Sequence, residues 1–208
     1  MTKKLWSCLK SFTSLNQLTF ADSSLSFPPS PPELLSVTKL LAERVTPQSY
    51  EGLLSSLPGL RDIEITIDDA ERDIAQITAC LRRTGGQQIM HINLRAPSSL
   101  PSEKDSVSIE TMKGLGCLIT DQTKNLDWLH LTGVKCTDED DLVHLIECCR
   151  KVKSMSYVWL DNCGTKEGGR LESHLIVLTN TPLGYLCVIV VHDGGILEGE
   201  SYHISHIG

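Results

Sequence analysis

Residues 126–163 read LDWLHLTGVKCTDEDDLVHLIECCRKVKSMSYVWLDNC, and the fold turns on how this stretch is read. It opens on Leu126-Asp-Trp-Leu129-His-Leu131 and closes on Met155-Ser-Tyr-Val158-Trp-Leu160-Asp-Asn-Cys163. Both ends follow the pattern L-x-x-L-x-L, with an aliphatic residue or Met at the L positions. The last apolar positions alternate with others, the period of a short strand with one buried face. Between them, Asp138 to Lys151 reads as a helix. Its acidic start suits a helix N-terminus, and Thr137 is placed to cap it. Leu142, Leu145, Ile146 and Cys149 fall at i, i+3, i+4 and i+7, so they line one face. The unit is strand, loop, helix, loop.

Working outward, the same pattern returns along the chain. It starts at Leu15, Val37, Leu60 and Ile89 before the decisive stretch, and at Leu183 after it. Successive starts are 22, 23, 29, 37, 29 and 28 residues apart. Asp69 to Arg83 reads as a helix with Ile74, Ile77 and Leu81 on one face and Gly85-Gly86 as its stop; Ser108 to Ile119 and Tyr50 to Leu57 read as helices too. One unit cannot bury both its strand and its helix. Stacked units form a continuous core between a strand layer and a helix layer. The expected fold is therefore an α/β solenoid, a horseshoe arc with short parallel strands on the concave side and helices on the convex side. It spans 1–208 as one domain of about seven units. The long gap after Ile89 holds an inserted surface loop at about 96–106 (APSSLPSEKDS), and 192–208 reads as a C-terminal cap or tail. Pro28-Pro29-Ser-Pro31-Pro32 blocks a helix in the first connection, which is expected to be extended.

Composition narrows the function. The net charge of −7 disfavours nucleic acid, since an acidic chain does not neutralise phosphates. The eight cysteines include no C-x-x-C pair, so a zinc ribbon or redox motif is unsupported; they read as free thiols, mostly buried, in a cytoplasmic protein. No stretch has the length and apolarity of a membrane helix or a signal sequence. The motifs G-x-S-x-G, H-E-x-x-H and G-x-x-x-x-G-K-[ST] are absent. His192, His203 and His206 offer a metal set only on paper, with glycines between them instead of a rigid frame. No enzyme activity, metal or cofactor is expected.

Met155-x-x-Val158-x-Leu160-x-x-Cys163 resembles the strand-and-turn signature of leucine-rich repeats of the ribonuclease-inhibitor type, in which Asn or Cys closes the turn. That class has repeats of about 28 or 29 residues with a full outer helix. Leu15-x-x-Leu18-x-Phe20-x-x-Ser23-x-Leu25 fits with Ser at the turn, whereas Val134 and Pro97 depart from the signature. The resemblance extends over nearly the whole chain, and repeats this divergent are similar to the C-terminal repeats of NOD-like receptors, cytosolic innate-immune proteins. The resemblance implies a protein-binding module, sensing a ligand or regulating an attached domain of the same parent. Without a P-loop here, the receptor's ATPase would lie outside this sequence.

In such an arc, the residues between the L positions face the concave side. They include Asp62 and Glu64, His91 and Asn93, Trp128 and His130, Tyr157 and Trp159, and Tyr185 and Cys187. In-register stacking sets Trp128 beside Tyr157 and His130 beside Trp159. The expected partner-binding residues are Trp128, His130, Tyr157, Trp159 and Tyr185, because Trp and Tyr cover much area at low rotamer cost. The competing expectation is that the inserted loop or the tail covers this patch. Asp62 and Glu64 read as a solvated face. Three other functions remain open: an intracellular enzyme inhibitor of the ribonuclease-inhibitor type, a substrate-recognition repeat of a ubiquitin ligase, and a doubly wound α/β enzyme. The last requires a reshuffled strand order.

Overall fold

The computed structural model describes residues 3–21, 31–46, 48–97, 104–165, 173–178 and 186–191. In chain order the strands are β1 (Gln17–Ala21), β2 (Lys39–Glu43), β3 (Asp62–Thr66), β4 (His91–Arg95), β5 (Ser106–Val107), β6 (Trp128–Thr132), β7 (Lys135–Cys136), β8 (Tyr157–Asp161), β9 (Gly164–Thr165), β10 (Ser173–Leu178) and β11 (Leu186–Val191). The helices are α1 (Lys3–Lys10), α2 (Gln48–Ser55), α3 (Ala70–Thr84), α4 (Ile109–Asp121) and α5 (Glu139–Arg150). The fold is α/β. Six strands, β1-β2-β3-β4-β6-β8, pair in parallel and in chain order.

Residue alternation builds this sheet. In each of the six strands the second and fourth residues are buried and the first and third are not, as in the iBiBi pattern of β3 and the eBiBi pattern of β6 and β8. The buried set, such as Ile63, Ile65, Leu129 and Leu131, joins Ile74, Leu81, Leu118 and Leu145 of the helices in one core. The opposite sheet face is left to the remaining side chains.

The backbone joins successive strands by the same bonds at every step. At the strand entrance one carbonyl accepts two consecutive N–H groups of the next strand: Asn16 from Thr38 and Lys39, Thr38 from Arg61 and Asp62, Arg61 from Met90 and His91, Met90 from Asp127 and Trp128, and Asp127 from Ser156 and Tyr157, all at 2.8–3.1 Å. At the exits of β2, β3, β4 and β6, the N–H after the strand reaches the last carbonyl of the next: Arg44 to Thr66, Ile67 to Arg95, Ala96 to Thr132 and Gly133 to Asp161. Three residues at this exit position, Arg44, Gly133 and Asn162, have positive φ (50°, 68° and 51°). At Gly133 a side chain is doubly excluded, because a Cβ would lie 2.4 Å from the Ala96 carbonyl oxygen. The Cys163 thiol donates to the Leu131 carbonyl at 3.3 Å, tying the turn after β8 to β6. Burial holds its pKa up at about 12. Beyond the turns, β5, β7 and β9 form a second parallel ladder.

Helix ends follow local chemistry. Asp69 and Ser108 cap α3 and α4 through their side chains, and Gly85 ends α3 in the left-handed conformation. Glu71 of α3 accepts from the Ser108 N–H, the Ser108 hydroxyl and the Thr111 hydroxyl at 2.6–2.8 Å, binding α3 to the start of α4. Burial works to raise the Glu71 pKa, but these three donors outweigh it and lower it.

Several expectations are corrected. The cap of α5 is Asp138, whose carboxylate accepts from the Asp140 N–H; Thr137 instead donates its hydroxyl to the Val107 carbonyl. The seventh copy does not continue the parallel series. A strand with no L-x-x-L-x-L pattern, β10, pairs antiparallel with β8, and β11 then pairs antiparallel with β10. Of the inserted segment, 98–103 lie outside the described residues; at its ends Ala96 is buried, Asp105 is buried and pairs with Lys135 at 2.8 Å, and Ser106 belongs to β5. Helix α1, with Trp6 fully buried, precedes the first copy of the repeat pattern. The segments 22–30 and 192–208 lie outside the described residues.

Candidate binding face

The in-register sheet arranges its outward residues in rows. The first row runs Lys39, Asp62, His91, Trp128 and Tyr157 from β2 to β8, and the second Leu41, Glu64, Asn93, His130 and Trp159. Trp128 thus stands beside Tyr157, and His130 beside Trp159, as the spacing of the sequence requires. Tyr185 lies outside the described residues.

The aromatic part is contiguous. Trp128 meets Tyr157 edge to face with ring centroids 6.5 Å apart, and His91 in the same manner at 5.9 Å. Along β6, Trp128 and His130 lie nearly parallel at 6.5 Å, and His130 contacts Trp159 at 5.3 Å. These distances fall within the range of favourable aromatic pairs. Trp128 and Tyr157 remain 38% and 43% exposed, which no other aromatic residue on this sheet face reaches among the described residues. The Trp159 indole N–H is buried and meets no acceptor among the described residues.

The charged part is one the sequence hid. Asp62 and Glu64 do not simply face solvent. Asp62 pairs with Nδ1 of His91, and Glu64 with Arg95 at 2.9 Å; Arg95 also donates to Asn93 at 3.4 Å. The Asp127 carboxylate stands 3.9 Å from Nε2 of His91, just beyond hydrogen-bond length. The signal was the equal offset of Asp62 and His91 within neighbouring strands. An open pocket of about 440 Å³ lies across both parts, bounded by Asp62, Glu64, His91, Arg95, Trp128 and Trp159 among others.

His130 exchanges a hydrogen bond with Thr132 at 3.1 Å. Burial lowers its pKa below the usual histidine value, and the nearby Arg95 charge adds to this, so the ring is neutral at pH 7. Among the described residues, no group of three or more His, Cys, Asp or Glu could hold a metal ion, and no helix is long and apolar enough to cross a membrane. His192, His203 and His206 lie outside them. No family model, curated protein or solved structure matches this chain.

Proposed function

We propose that the chain is a leucine-rich-repeat solenoid of the ribonuclease-inhibitor type that binds a protein partner through its outward strand face. Its work is recognition rather than catalysis, and no cofactor takes part. The parallel strands in chain order and the bonds repeated at each step support the repeat, since a doubly wound enzyme would reverse its strand order at the ligand crevice. The single observation that carries the binding role is the exposed aromatic group of Trp128 and Tyr157, continued by His130 and Trp159. Tyr185 is proposed as a further member. Contiguous exposed aromatics mark interaction sites far more often than solvated surface does. Within this reading the chain is a sensing or regulatory region of a cytoplasmic NOD-like-receptor-type protein, and the partner is another protein or an attached domain.

Affinity purification with the wild type and with a Trp128→Ala, Trp159→Ala double variant tests this role. Both are first shown to be folded by circular dichroism and thermal melting. The expected result is that partners recovered with the wild type are lost from the variant. Equal recovery from the folded variant removes this face as the site.

A further inference from the structure

Resting on the protein-binding reading above, we propose that the aromatic half of this face takes a basic segment of the partner, with an arginine side chain lying on Trp128 and Tyr157 and its charge met by Asp127. Carboxylates outnumber cations here. Glu43, Asp62, Glu64, Asp127 and Asp161 lie on the face or at its edge, against Lys39, Arg61 and Arg95. The Arg95 charge is already engaged by Glu64, and Asp62 is held by His91. Asp127, by contrast, is 37% exposed, and its carboxylate stands 3.9 Å from Nε2 of His91. It immediately precedes Trp128, and its carboxylate is on the side of His91, whose ring meets Trp128.

The rings suit a planar cation. Trp128 and Tyr157 meet at 60° and are 38% and 43% exposed, forming a partly open corner. A guanidinium can stack on the indole face and still donate to a carboxylate beside it. Burial of His130 disfavours its charged form, which limits repulsion of such a guest at that ring. An apolar guest would strip water from Asp127 without pairing it, and an acidic one would be repelled by it. Both are disfavoured by the same geometry that favours arginine.

The test measures binding of a fluorescein-labelled nona-arginine peptide to the full chain by anisotropy, with a nona-glutamate peptide as its counterpart. Saturable binding of the arginine peptide alone is expected. Asp127→Asn and Trp128→Leu should each weaken it by about tenfold or more, and Trp128→Phe by less, since a phenyl face still attracts a cation. Glu110→Gln, an exposed charge on α4, should leave it unchanged and so excludes a mere effect of net charge. Binding that is indifferent to Asp127 and Trp128, or equal binding of nona-glutamate, overturns the proposal. Failure of nona-arginine to displace a partner whose recovery still depends on Trp128 and Trp159 overturns only the basic segment and leaves the binding face standing.

Discussion

Strands β3 and β4 and strands β6 and β8 share one backbone plan but present opposite chemistry. Their entrance bonds, exit bonds and inward residues correspond position by position. Yet β3 and β4 carry acids facing a histidine and an arginine that engage them, and β6 and β8 carry rings. The charged half meets its own needs, since each of its carboxylates has a partner from the adjacent strand. The aromatic half leaves two large rings partly in water. A scaffold held by buried alternate residues and main-chain bonds thus leaves the outward positions free to differ.

The largest expected effect tests whether the two halves share a core. Leu94 lies under the charged half and Leu131 under the aromatic half, both fully buried. Leu94→Ala and Leu131→Ala should each destabilise the fold by about 2–5 kcal/mol, read by urea unfolding. A negligible loss at either position would break the common scaffold.

Next in size is the contrast in binding. Removing both rings with Trp128→Ala and Trp159→Ala should cost at least about 2 kcal/mol of partner affinity, roughly thirtyfold. Asp62→Asn with Glu64→Gln should alter it by less than about threefold, because those charges are partnered within the face. Titration of the recovered partner against each variant decides between these outcomes, and equal losses would erase the distinction.

A smaller effect concerns pH. Folding lowers the pKa of His130 below its usual 6.5, so the unfolded chain takes up the proton first. The stability due to the neutral ring is complete above the usual histidine range. It is lost as pH falls through that range towards the lower folded value. His130→Gln should flatten this part of the stability profile between about pH 7 and 5. A slope that persists unchanged in the variant assigns it to other groups.

The smallest effect is on the charged half alone. The Arg95–Glu64 pair is 48% and 30% exposed, so Glu64→Gln should change stability by no more than about 1 kcal/mol, and less in high salt. A larger loss, measured by thermal unfolding at two salt concentrations, would show that the pair holds the strands together.

Much of this was legible in the sequence. Leu129 and Leu131, Val158 and Leu160 mark the buried faces because a strand alternates with a period of two. Their equal spacing set Trp128 opposite Tyr157 and His130 opposite Trp159. Helix α3 showed its stop at Gly85, where positive φ suits glycine. The cap of α5 falls one residue after Thr137, because Asp138 and Thr137 both have capping chemistry, and only the packing of β5 decides which is used. Strand β10 has no repeat signature, and an apolar run does not declare the direction in which it will pair.

The sequence by itself determined which apolar positions of Leu126 to Cys163 are buried, where β6, α5 and β8 fall, and that Trp128, His130, Tyr157 and Trp159 share a face. Those are consequences of local periodicity, which every short segment carries within itself. Only the tertiary structure decided that β10 and β11 close the parallel series, that Asp62 and Glu64 engage His91 and Arg95, and that Asp127 comes near His91. These depend on distances between segments far apart in the chain. They are set by side-chain reach and by the direction of pairing, neither of which is written in any one repeat.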